Sequence, residues 1–179
     1  VDASNPHDGR PPEGGRPRRH IHAYRWTGDR RIYDQEGPRR PESPAFATNP
    51  CTPILIANWL LRPAHHIVET FHDVDDAVRW FEEQAARAAS GFANPPEREP
   101  ARLAAKVAHV ADTLRRGGDS HAAWYLQATG YTTLDLITCS PNGNNPGLTC
   151  PQAVAQEPLP DGRRTRARLS PRSCHEPDN

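Results

Sequence analysis

Residues 122–139, AAWYLQATGYTTLDLITC, decide the fold. Leu134, Leu136 and Thr138 fall on one side of this stretch, and Asp135, Ile137 and Cys139 on the other. That period of two is the pattern of a strand. Ala128–Thr129–Gly130 separates it from AAWYLQ (122–127), and a short glycine-containing connection predicts a hairpin.

Upstream of this hairpin the period is helical. Asp73 reads as an N-cap, with Asp75 and Asp76 in the first turn, where the helix dipole favours negative charge. Val74, Ala77, Val78, Phe81, Ala85 and Ala88 form one apolar stripe, and Gly91 ends the helix. Pro100 opens a second helix, with Leu103, Val107, Val110 and Leu114 on its stripe and Gly117–Gly118 at its end. Two such helices joined by a short loop predict an antiparallel pair, and the pair needs a sheet to cover. The expected fold is therefore α+β, an antiparallel helix pair packed on a small antiparallel β-sheet, which HIVETF (66–71) can join as a further strand.

Further out, HIHAYRWTGDRRIY (20–33) predicts a separate hairpin turning at Thr27–Gly28–Asp29, with His22, Tyr24, Trp26 and Tyr33 on one face. CTPILIANWLLRP (51–63) is a compact apolar segment. It reads as a helix opened by Thr52–Pro53 or as a buried strand, and Pro63 ends it. Residues 1–18 and 151–179 are rich in Pro, Gly and Arg and poor in apolar residues, which is the composition of disordered tails. The chain thus divides into a tail (1–18), a basic–aromatic hairpin with a loop and apolar segment (19–64), an α+β core (65–150) and a basic tail (151–179).

The 179 residues carry no net charge, with 22 basic and 22 acidic side chains. A surface that is basic throughout is therefore excluded. The charge is unevenly placed: eight arginines against three acids between Arg16 and Arg40, and five arginines with no acid between Arg163 and Arg172. Lys106 is the single lysine, and this arginine bias with abundant Ala, Gly and Pro matches a GC-rich bacterial genome. The longest apolar run, Ile54–Leu61, is interrupted by Asn58 and falls short of the ~20 residues of a membrane helix. The N-terminus carries charge without a following apolar run, so the expected compartment is the cytoplasm, with reduced thiols.

Catalytic constellations are not evident. There is no nucleophile elbow, Gly117–Gly118 is followed by Asp119 rather than a phosphate-binding residue, and Glu82 and Glu83 fall on a polar helix face. His72–Asp73 is explained by capping. No cofactor or small-molecule substrate is indicated. The cysteines Cys51, Cys139, Cys150 and Cys174 lack the CxxC spacing of a sequence-legible zinc site. Cys139, Cys150, His121 and Cys51 are the residues from which a metal site could assemble, and Cys139–Cys150 is the pair that could bridge in an oxidising compartment. Inside CSPNGNNPGLTC (139–150), Asn142–Gly143 and Pro146–Gly147 predict successive turns, and Leu148 is placed to pin the loop to the core.

The expected function is that of a small non-enzymatic accessory protein binding a macromolecule. Nucleic acid is the more specific expectation, through Arg18, Arg19, Arg25, Arg30 and Arg31 on phosphates and Tyr24 and Trp26 on bases. A protein–protein adaptor using Trp59 and Trp80 is the alternative, and a Cys/His metal protein or enzyme the third.

Overall fold

The computed structural model describes residues 19–153. The expectations for residues 1–18 and 154–179, including Arg18 and Cys174, lie outside them. Four strands form one antiparallel sheet: β1 (His20–Asp29), β2 (Glu69–Phe71), β3 (Ser120–Tyr125) and β4 (Gly130–Cys139). Their order is β2-β1-β4-β3. Three helices accompany them: a single turn, α1 (Arg30–Tyr33), and the long α2 (Val74–Ala89) and α3 (Pro100–Arg115). The architecture is α+β, as the change of period predicts.

The long helices follow their sequence signals closely. The Asp73 carboxylate accepts from the backbone N–H groups of Asp75 and Asp76, satisfying two of the unpaired donors at the start of α2. Gly117 ends α3 at φ 78°, in the left-handed region that glycine adopts without a Cβ penalty. Both helices bury their stripes on one face of the sheet. Phe81, Ala85, Val110 and Leu114 meet Ile21, Ala23, Ala122, Trp124, Leu134 and Leu136 there.

The expected N-terminal hairpin is replaced by one continuous strand. β1 runs straight through Thr27–Gly28–Asp29, and its last residues pair with the start of β4, Gly28 with Tyr131 and Asp29 with Gly130. A ladder of ten pairs outweighs a local turn signal that had only a short return strand to stabilise it. Gly28 leaves room for the Trp26 ring, since a Cβ there would lie 2.5 Å from Trp26 Cζ2. Residues 19–64 therefore do not stand apart from 65–150: β1 is an interior strand of the common sheet.

The opposite face of the sheet is covered without long helices. The 51–63 segment forms a short 3-10 helix, Ile56–Leu61, instead of an α-helix begun at Pro53. Trp59 and Leu60 from this segment pack with Tyr24, Ile137, Cys139 and Cys150, and Leu148 pins the 139–150 loop beside them. Two buried arginines lace the layer together. Arg39 donates to the carbonyls of Tyr33 and Thr52, and Arg62 donates to that of Cys51 while lying over the Phe46 and Trp59 rings. The predicted strand 66–71 shortens to β2 because residues 64–66 form a 3-10 turn.

Candidate metal centre

The alternation of β1 sends His20, His22, Tyr24 and Trp26 to the face away from the long helices. β4 sends Asp135, Ile137 and Cys139 to the same face. The register then sets His20 opposite Cys139 and His22 opposite Ile137. Beyond Cys139 the chain turns through a cis Ser140–Pro141 bond and returns with Cys150. His20, His22, Cys139 and Cys150 thus come together from β1, β4 and the following loop, with one donor atom from each and all four within 4.8 Å of one another.

The spacing of these donors is informative. His20 Nε2 and His22 Nε2 are 3.1 Å apart, and each lies 3.4 Å from Cys150 Sγ. A tetrahedral zinc ion with ordinary Zn–N and Zn–S bonds sets its ligand atoms roughly 3.3–3.8 Å apart. The two imidazoles and Cys150 are close to that separation, and Cys139 Sγ lies within 4.8 Å of all three.

The surroundings suit metal ligation as well. His22 Nδ1 is 2.9 Å from Thr70 Oγ1 on β2, and Gln152 Nε2 donates to the same hydroxyl. With the proton on Nδ1, Nε2 presents its lone pair to the centre, the usual outer-shell arrangement of a metal-bound histidine. Burial, reinforced by the neighbouring His20 and His72, holds the His22 imidazole down to about 4, so it is neutral at pH 7. Burial also pushes the Cys139 thiol up to about 11, with Cys150 adding to the effect and the Ser140 hydroxyl, 3.0 Å from the sulfur, opposing it. A cation supplies what such a thiol needs in order to ionise.

The 139–150 loop is held in place by its own polar network. Asp119, just before β3, accepts from Thr138 N, Thr138 Oγ1, Asn142 Nδ2 and Asn144 Nδ2. Gly143 is a glycine for space and not for positive φ, because a Cβ there would overlap the carbonyl of Gly117. This close approach brings the loop back across the sheet and carries Cys150 to the centre.

Two of the residues expected to form a metal site, Cys139 and Cys150, are in this centre. His121 and Cys51 are not. His121 Nδ1 lies 2.5 Å from the fully buried Asp135 carboxylate, which also accepts from Trp59 Nε1 and Thr52 Oγ1. Cys51 is buried in the outer layer, where burial raises its thiol despite the nearby Arg39 and Arg62. Cys51, Cys139 and Cys150 are all free thiols. The sequence expectation for a metal site did not include His20 and His22, although their spacing carries a usable signal: H-x-H on a strand sets both imidazoles on one face.

The basic–aromatic residues are dispersed by the fold. Tyr24 is fully buried and stacks on Trp59 at 4.5 Å, and Trp26 is buried against Tyr33. Neither offers a ring face to a base. Arg25 points to the helix side, where it donates to Gln84. Arg30 pairs with Asp34 and lies over Tyr125 and Tyr131, while Arg19 and Arg31 are exposed. Trp59 and Trp80 are buried on opposite faces of the sheet, Trp80 near Phe71. Among the described residues, no helix is long and apolar enough to cross a membrane. The chain matches no protein-family model, no curated protein and no solved structure.

Proposed function

We propose that this is a zinc protein in which His20, His22, Cys139 and Cys150 hold one Zn2+. The observation that carries this reading is the gathering of four donor atoms, from three separate parts of the chain, within 4.8 Å of one another, three of them 3.1–3.4 Å apart. Thiolate and imidazole ligands suit Zn2+, and four protein ligands leave no open coordination position. The ion is therefore structural, fastening β1, β4 and the 139–150 loop together. A macromolecular partner for such a domain would have to be met by exposed side chains such as Arg19 and Arg31, since the Tyr24 and Trp26 rings are buried.

The test is metal content. Native mass spectrometry of the purified protein should find one zinc per chain, and Co2+ substitution should give the visible bands of a tetrahedral S2N2 site. Cys139→Ser and His22→Ala should each lose the ion, while Cys51→Ser and His121→Ala should keep it. Because the ion displaces the Cys139 proton, its apparent affinity should fall as pH falls. Protein that binds neither zinc nor cobalt, with all its thiols freely titratable, would refute the reading.

A further inference from the structure

A cavity of about 400 Å3 lies against one edge of the metal centre, with His20 and Cys139 in its wall. Its size is within the usual range for a small-molecule site. Two features give it a chemical preference. Arg19 and Arg116 line it together with His72, and among the described residues no Asp or Glu does. Ile21, Val74, Pro141 and Pro146 supply an apolar part of the same wall.

The carboxylates nearby are already engaged. Asp119 is occupied by Thr138, Asn142 and Asn144, Asp73 caps α2, and Asp75 pairs with Arg115. Asp112 pairs with Arg116, but both side chains are more than half exposed, and such a pair holds its partners loosely in water. The Arg116 guanidinium is thus available to a second anion. A Zn2+ with two thiolates and two neutral imidazoles carries no net charge, so the adjacent metal leaves the basic character of the cavity in place.

We propose that this cavity binds a small organic carboxylate, its anionic end at Arg19 and Arg116 and its apolar body against Ile21, Val74 and Pro146. The inference does not depend on the identity of the metal, because the arginines and the apolar wall belong to the protein alone.

Hexanoate is a suitable probe, with hexanol, hexylammonium and inorganic phosphate as comparisons, each titrated into the protein as purified. Hexanoate should bind once per chain and shift the amide resonances of His72, Thr138 and Asn142, and the other three should bind at least tenfold more weakly. Arg19→Ala combined with Arg116→Ala should weaken hexanoate at least tenfold. Both arginines are exposed, and an unchanged far-UV circular dichroism spectrum and thermal midpoint would show that the variant is folded. Absence of hexanoate binding would overturn the proposal. Equal binding of hexanol or of phosphate, or unchanged binding by the double variant, would overturn it too. Each of these outcomes is separate from loss of zinc, which is measured independently.

Discussion

Asp135 holds three donors at once: the Trp59 indole N–H, the Thr52 hydroxyl and His121 Nδ1. It has no solvent exposure, so each contact replaces water that the carboxylate gave up on folding. Asp135→Ala should leave the buried Trp59 N–H without an acceptor and lower stability by about 2–4 kcal/mol, read from urea unfolding. His121→Ala, which removes only a partly exposed partner, should cost less. Alternation along β4 places Asp135 correctly beside Ile137 and Cys139 in the sequence. Its partners are not legible there, because Trp59 and Thr52 lie 76 and 83 residues away. The proposed metal centre divides in the same way. Cys139 and Cys150 attract attention as a pair, but His20 is 130 residues from Cys150, and only the sheet register brings them together.

At the scale of elements, helices are the most legible part of this chain and turns the least. α2 begins at its Asp73 cap and α3 at Pro100, and both carry their stripes and stops within a few residues of sequence, so local chemistry defines them. The β3–β4 hairpin is equally clear, yet its turn uses an unexpected residue. Gly130 is the apparent turn glycine, whereas Ala128 takes the left-handed conformation at φ 58°. An alanine there bears a Cβ clash that glycine avoids, partly offset by the greater freedom of glycine in the unfolded chain. Ala128→Gly should therefore raise stability by about 0.5–1 kcal/mol, measured by thermal or urea unfolding. A loss of stability would place Ala128 in the right-handed region instead. β1 teaches the converse. Thr27–Gly28–Asp29 has turn chemistry, but pairing with β4 overrides it, and no local pattern announces a partner so distant in sequence.

At the scale of the molecule, the sheet has two unlike coverings. Two long helices close one face through a continuous apolar core. Irregular chain closes the other, held by a smaller cluster, buried arginines and the proposed zinc. Chelation should therefore act on one side only. Hydrogen exchange after removal of the metal should speed up at residues 56–62 and 139–153, while α2 and α3 keep their protection. Uniform loss of protection would mean that both faces form one cooperative unit.

The central pairing of β1 with β4 also bears on how the chain comes off the ribosome. β1 is complete at Asp29, but the strand that flanks it on one side begins only at Gly130, and β2 on its other side offers just three residues. At roughly 5–20 residues per second, the first strand waits about 5–20 s for its main partner. Through that interval its histidines and aromatic rings have no sheet to enter, and the proposed metal site is still incomplete until Cys150 emerges. The newborn chain therefore passes through a period of exposure that the finished protein conceals, and stalled or truncated products ending before β4 would be natural clients for chaperones and proteases.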